Sequence, residues 1–140
     1  MRQGSGRSDA VEGVMATQKP EVRTMDKVKI EPVALVYSTF PSTEAAEAVG
    51  RSLVEAGLAA CANIVPGMIS IYKWKGGLQR DGEVMMLVKT RRALASRVVE
   101  EIRTRHSYET PAVLVIEPTG GAEPFLAWIA EETAEGRETT

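Results

Sequence analysis

Residues 57–77, with the sequence GLAACANIVPGMISIYKWKGG, carry most of the information about this fold. Gly57 suits the left-handed position just beyond the end of a helix. The stretch from Ala59 to Lys75 is typical of a long strand, which must bend, bulge or lie at a sheet edge at Pro66 because proline cannot donate to a ladder. The connection from Gly76 to Gly82 ends in an Asp-Gly pair, a hairpin signal. We therefore predict a long, bent hairpin with its turn in that connection.

Two amphipathic helices flank this hairpin. Apolar residues recur every three or four positions after a predicted N-cap at Ser42, and again after a predicted cap at Thr90. The second helix should end near His106, because Pro111 and the polar residues before it cannot continue it. The predicted buried faces are Ala45, Val49, Leu53 and Ala56 in the first helix, and Leu94, Val98 and Ile102 in the second.

Short apolar runs predict three further strands, at Val33–Ser38, Val84–Val88 and Ala112–Ile116. Pro124 then opens a terminal helix, as proline is accepted in a first turn. Its predicted apolar face carries Phe125, Trp128 and Ile129. The order is therefore β-α-β-β-α-β plus a C-terminal helix. This order predicts an α+β, ferredoxin-like fold with a four-stranded antiparallel sheet and two helices on one face.

Composition bounds the domain organisation and the class of function. A net charge of −2 without a basic stripe argues against nucleic acid, and no apolar run is long enough for membrane insertion. One cysteine cannot form an intramolecular disulfide. We predict a disordered extension over residues 1–30, one domain over 31–135 and a polar tail over 136–140. The N-terminus lacks the apolar stretch of a secretory signal, so we expect a cytoplasmic protein.

Four segments occur together in one order: ACANIVPG, IYKW, EVMMLVKT and RHSYETP. In this combination the chain resembles the CutA divalent-cation-tolerance family, over roughly Val33 to Glu132. The resemblance implies a non-enzymatic protein that is involved in tolerance to copper or another divalent metal ion. It also implies a tight homotrimer, whose extended second and third strands pair with neighbouring subunits.

The resemblance implies His106 and Cys61 as metal ligands. Residue type alone also allows a histidine stabilised by the negative end of a helix dipole and a cysteine that acts as a small buried hydrophobe. The family's copper-binding pattern has cysteine and histidine at the positions that Ser38 and Arg105 occupy here. Because serine is a weak copper ligand and arginine cannot ligate, we expect weak copper binding at most.

A second candidate site comprises Trp74, Lys89 and Tyr108, with Tyr72 beside them. The aromatic residues could simply pack between subunits, where Tyr and Trp are enriched. Alternatively, they line a site for a small anion or other small molecule, in which Lys89 supplies charge and Tyr108 a hydroxyl group. Two glutamates could add carboxylate ligands for a divalent ion, namely Glu83 and Glu109.

No catalytic motif is present in the sequence, so we expect no enzyme. Two other classes of function stay open. One is a small-molecule signalling trimer like the PII nitrogen regulators, against which the short connection from Gly76 to Gly82 argues. The other is a trimeric scaffold that anchors a partner protein through the N-terminal extension.

Overall fold

A computed structural model describes residues 31–133 of the chain. The predicted disordered extension, 1–30, and the predicted polar tail, 136–140, lie outside the described residues. The strands are β1 (Val33–Phe40), β2 (Cys61–Trp74), β3 (Gly77–Arg91) and β4 (Val113–Ile116). The helices are α1 (Thr43–Glu55), α2 (Ala95–Arg105) and α3 (Glu123–Glu132), with a 3-10 turn at Arg92–Leu94. None of the helices within residues 31–133 has the length and apolar character needed to cross a membrane.

The four strands form one antiparallel sheet in the order β2-β3-β1-β4, which confirms the ferredoxin-like fold. Helices α1 and α2 cover one face. Their apolar residues pack against alternate residues of the strands, including Val36, Phe40, Met86 and Val88, all at most 1% exposed. Helix α3 contacts Lys89, and its C-cap Thr133 accepts a hydrogen bond from Arg91; the side chains of Lys89 and Arg91 alternate along β3 with those of the core. It therefore lies on the opposite face of the sheet.

Helix α1 begins and ends as predicted, but its buried face is rotated. The Ser42 hydroxyl accepts a hydrogen bond from the Ala45 N–H at 3.1 Å, and Gly57 has a φ of 77° just beyond the helix. The buried residues are Ala46, Val49, Gly50 and Leu53. Ala45 is only partly buried, and Ala56 is the exposed C-cap. The prediction was wrong at Ala56, whereas Ala45 packs against the margin of the core. Alanine and glycine are too small to mark the buried face clearly.

Thr90 does not cap the second helix. It is fully buried in β3, which extends to Arg91 rather than ending at Val88, and its hydroxyl donates to the Leu58 carbonyl oxygen at 2.7 Å. Helix α2 instead follows the 3-10 turn without a side-chain cap. Its buried residues Val98 and Ile102 agree with the predicted face.

The turn of the β2–β3 hairpin is shorter than predicted. Ladder pairing continues to Trp74 and Gly77, so that only Lys75 and Gly76 form the turn, with φ values of 53° and 81°. Two successive positive φ values are typical of the type I′ turn that fits the twist of a hairpin. Asp81 and Gly82, predicted in the turn, lie within β3 and pair with Ser70 and Ile69.

The predicted bend at Pro66 is confirmed. The register between β2 and β3 shifts between Val65 and Met68, and Gly67 in between has a φ of 87°. Beyond this bulge, residues 77–83 of β3 pair with β2 alone, because the pairing of β1 with β3 ends at Val84. We call this two-stranded projection, residues 68–83, the arm.

Candidate functional site

His106 follows the last residue of α2, and the main chain engages both nitrogens of its ring. Nδ1 lies 3.1 Å from the Tyr108 backbone nitrogen, and Nε2 lies 2.6 Å from the Thr39 carbonyl oxygen. A backbone N–H can only donate, so Nδ1 accepts, and the carbonyl oxygen can only accept, so Nε2 carries the proton. The ring also stacks on Phe40 at a centroid distance of 4.5 Å. In this arrangement His106 offers a metal no lone pair.

Cys61 lies in a different part of the sheet from His106. It is half-buried at the start of β2 and pairs with Lys89, which in turn pairs with Leu35 on β1. Thr39, to which His106 bonds, is four residues further along β1, or about 13 Å at the rise of a strand. Ligands of one transition metal lie roughly 2.0–2.3 Å from it. A single chain therefore cannot bring this thiol and this imidazole to one ion.

The two positions that depart from the family's copper-binding pattern have local roles. Ser38 is fully buried in β1, and its hydroxyl group has no hydrogen-bond partner. The guanidinium of Arg105 pairs with Glu101 at 2.9 Å along the surface of α2. Within residues 31–133, no three His, Cys, Asp or Glu side chains are grouped so that they could hold a metal ion. The described domain thus contains no preformed metal site.

Trp74, Lys89 and Tyr108 do not meet within one chain. Trp74 pairs with Gly77 at the end of the arm, and Lys89 lies twelve residues further along β3. At the rise of a strand, this separation is roughly 40 Å. Tyr108 lies between these extremes, with its hydroxyl 3.3 Å from Glu83. The predicted shared pocket is therefore absent from the single chain.

Sequence reasoning missed a hydroxyl-lined carboxylate at Glu83. Three hydroxyl groups from three segments lie near it: Ser70 at 2.7 Å, Tyr108 at 3.3 Å and Thr39 at 3.4 Å. Burial, followed by the charge and hydrogen bond of Glu83, raises the pKa of Tyr108 above its ordinary value of 10.0. Glu83 had been considered as a metal ligand, but here its oxygens serve to connect β1, β2 and the loop after α2.

A second phenol–carboxylate pair lies further out on the arm. The Tyr72 hydroxyl donates to the carboxylate of Asp81, and this hydrogen bond is the main cause that raises the pKa of Tyr72. Tyr72, Ser70, Asp81 and Glu83 occupy alternate positions on paired strands and so share one face. The alternation of Ser70 and Tyr72 with two isoleucines in the sequence indicates that one face of this strand is polar, but it does not reveal the carboxylates opposite.

Lys89 lies at the centre of another contact group, which we call the Lys89 corner: Cys61, Asn63, Lys89 and Phe125. The ammonium group donates to Asn63 Oδ1 and lies 3.6 Å from Cys61 Sγ. It is also 6.0 Å from the centre of the Phe125 ring. Of the salt bridges within residues 31–133, none includes Lys89.

The comparisons with known proteins agree on one family. The family model described as "CutA1 divalent ion tolerance protein" matches residues 34–132. A relative from Arabidopsis thaliana, "Protein CutA, chloroplastic", is 38% identical over 80% of this chain. The "Divalent-cation tolerance protein CutA" of Thermus thermophilus is 38% identical over 74% of this chain and 99% of its own length.

Solved structures give the same result. The structure named "Periplasmic divalent cation tolerance protein CutA" from Archaeoglobus fulgidus has a TM-score of 0.69 and 39% identity, and the match covers 72% of this chain and 98% of that one. The present chain spans about three-fifths of the length of the plant relatives, 62% and 59%. Relatives thus include proteins named chloroplastic and periplasmic, so the expected cytoplasmic location stays a prediction. With its fold, its four sequence segments and these matches in agreement, the chain belongs to the CutA1 divalent ion tolerance family.

Proposed function

We propose that the protein is a non-enzymatic homotrimer that acts in tolerance to divalent metal ions, with weak copper binding. Membership of the CutA1 family is the observation that carries this proposal, because the matched relatives are named as tolerance proteins. The described residues contain no grouped metal ligands, so tolerance need not depend on a tightly held ion. We also propose that the protein acts in the cytoplasm.

The arm supports the trimer. It carries apolar side chains that are 53–74% exposed, namely Ile69, Ile71, Trp74 and Leu78. A two-stranded hairpin is marginally stable alone in water, so an arm of this length needs a covering surface. The outer edges of β2 and β4 also have no neighbour in the four-stranded sheet. Pairing between subunits in a closed ring would cover the arm and satisfy both edges.

The trimer could also form the candidate small-molecule site, whose residues Trp74, Lys89 and Tyr108 lie apart within one chain. An arm that reaches a neighbouring subunit can carry its Trp74 to the Lys89 or Tyr108 of that neighbour. Phe125 and Trp128, which are 44% and 38% exposed on α3, would then be covered by the adjacent subunit. We therefore propose the candidate small-molecule site as a feature of the trimer.

Weak copper binding follows from the contacts of the two candidate ligands. For His106 to ligate, one ring nitrogen must give up its main-chain hydrogen bond, to Tyr108 or to Thr39. Cys61 has the Lys89 ammonium 3.6 Å from its sulfur, and this charge repels a metal cation. Both costs lower the affinity for copper.

The copper proposal is tested by titrating the full chain with Cu(II), and with Cu(I) under reducing conditions, in competition with a chelator of known affinity. We expect weak binding that is reduced in His106→Ala or in Cys61→Ser, and that is unchanged in the neighbouring control Arg105→Ala. Tight binding, or weak binding that neither variant changes, would contradict the ligand assignment.

The tolerance proposal requires a test in cells. A bacterial host without its own family member should grow at higher copper concentrations when it expresses this chain. An Ile71→Lys/Trp74→Lys variant, which places charges on the arm, should not restore growth if assembly is required. Equal growth with and without the wild-type chain would refute the proposal.

The alternative functions have separate tests. The two-residue turn at Lys75 and Gly76 leaves no room for a long flexible loop between β2 and β3, which disfavours a PII-like signalling role. Saturable ATP binding in calorimetry would restore that alternative. The scaffold hypothesis depends on residues 1–30, and equal recovery of partner proteins with and without these residues would reject it.

A further inference from the structure

Lys89 is a half-buried cation among neutral groups. The groups nearest to its ammonium are the Asn63 amide oxygen, the Cys61 sulfur and the Phe125 ring. Within residues 31–133, neither an aspartate nor a glutamate lies at salt-bridge distance from it. A negative charge brought to a half-buried cation is favourable, because such an ion pair is screened less than one at an open surface. The described chain supplies no such partner.

The contact with Lys89 fixes the orientation of the Asn63 amide. An ammonium group can only donate hydrogen bonds, so the atom of Asn63 that faces it must be the oxygen Oδ1. The amide nitrogen Nδ2, which carries two donor hydrogens, is bonded to the same carbon as this oxygen. Asn63 is exposed on β2, and it shares a face of the sheet with Lys89 and Cys61. Hydrogen-bond donors therefore outnumber acceptors in the Lys89 corner.

We propose that the Lys89 corner binds a small oxyanion, a carboxylate or a phosphate, between Lys89 Nζ and Asn63 Nδ2. One Lys89 donor bonds to Asn63 and another points towards Cys61, which leaves a third for the ligand. An oxyanion supplies several acceptor atoms and the missing negative charge, and hydrogen bonds between charged groups are the stronger ones. A metal cation or an amine should not bind here, because the Lys89 ammonium repels a positive charge.

Phe125 contributes a cation–π contact with the Lys89 ammonium on one side of the corner. Its ring lies 6.0 Å from the Lys89 ammonium and stacks on Trp128 at a centroid distance of 6.0 Å. The aromatic pair therefore forms one side of the corner and leaves the side next to Asn63 open to a ligand. This site shares Lys89 with the small-anion site expected from the sequence, but its second polar residue is Asn63 rather than Tyr108. It depends neither on copper binding nor on metal tolerance.

The test is a calorimetric titration of the full chain with inorganic phosphate, and separately with acetate, in Tris–chloride buffer of low ionic strength. We expect saturable binding of either anion that is at least about tenfold weaker in Lys89→Gln. Asn63→Ala should weaken binding about threefold or more. The control, Lys73→Gln, removes an exposed lysine on the arm and should leave the affinity unchanged. The mass of each variant in solution is measured in parallel.

Two outcomes would overturn the proposal. The first is that neither phosphate nor acetate binds saturably to the wild-type chain. The second is that Lys73→Gln weakens binding as much as Lys89→Gln does, which would indicate non-specific attraction. If the first outcome is found and Lys89→Gln also dissociates the oligomer, the negative partner of Lys89 is a carboxylate of a neighbouring subunit.

Discussion

The imidazole Nε2 of His106 lies 2.6 Å from the carbonyl oxygen of Thr39, although 67 residues separate the two in the chain. This contact fixes the end of α2 to the end of β1. The same ring accepts a hydrogen bond from the Tyr108 N–H and so orders the loop that leads to β4. His106, the only histidine of the chain, therefore has a structural role in the described domain.

Replacing His106 with alanine should destabilise the fold by about 2 kcal/mol, because a part-buried carbonyl and an amide lose their partner and Phe40 loses a stacked ring. Urea denaturation, followed by circular dichroism, measures the change. Arg105→Ala is the matched control and should cost less than about 1 kcal/mol, because it breaks only an exposed ion pair. Equal stability of His106→Ala and wild type would show that these contacts contribute nothing.

Ser38→Ala should leave the free energy of unfolding unchanged or increase it by about 1 kcal/mol, because the buried hydroxyl it removes has no hydrogen-bond partner. Thr90→Val should instead lower the free energy of unfolding, because the Thr90 hydroxyl has a hydrogen-bond partner. It removes a buried hydroxyl that donates to Leu58, and should cost about 1–3 kcal/mol. Thermal and urea denaturation of both variants test the pair. A larger loss in Ser38→Ala than in Thr90→Val would contradict the assignment.

Tyr108 should make stability fall at high pH. Its pKa is raised in the folded chain, so its contribution is fully present below the ordinary value of 10.0 and is lost as the pH rises through the folded pKa. Tyr108→Phe should therefore reduce the decline of stability above about pH 10. Glu83→Gln should lower the Tyr108 pKa only in part, because burial is the larger cause. Tyrosinate absorbance measures the ionisation of Tyr108 directly. A pKa at or below the ordinary value of 10.0 would contradict the prediction.

The position of the hairpin turn can be tested with two glycines. Gly76→Ala should destabilise the fold by about 1 kcal/mol, because the φ of Gly76 is 81°. Gly82→Ala should be neutral or slightly stabilising, because Gly82 lies in β3 with open space around its Cα. If Gly82→Ala were the more harmful of the two in urea denaturation, the turn would lie where the Asp-Gly pair suggested.

Periodicity predicted the fold because long amphipathic segments repeat their signal. Leu94 in the 3-10 turn and Val98 and Ile102 in α2 continue one buried face, and the bend at Pro66 follows from the chemistry of proline. Signals from one or two residues were less reliable. Asp81-Gly82 resembles a turn, but the ladder continues past it to Lys75-Gly76. Threonine is a common N-cap residue, yet the Thr90 hydroxyl donates to the carbonyl oxygen of Leu58, 32 residues earlier in the chain.

The candidate site was predicted less well, because residue type does not give position. His106 and Cys61 have the chemistry of metal ligands, but the sheet register separates them. Trp74 and Lys89 belong to one hairpin and lie at its opposite ends. The contacts of Lys89 with Asn63 and Phe125 depend on the pairing of β2 with β3 and on the docking of α3. These relationships are tertiary, and no local pattern specifies them.

The mass of the full chain in solution tests the central claim most directly, because the arm and the open sheet edges are explained here by assembly. Sedimentation equilibrium or light scattering coupled to size exclusion should give three times the chain mass of 15.2 kDa over a wide range of concentrations. The Ile71→Lys/Trp74→Lys variant should shift this towards the single chain. A wild-type protein that remained at 15.2 kDa while folded and stable would contradict the account.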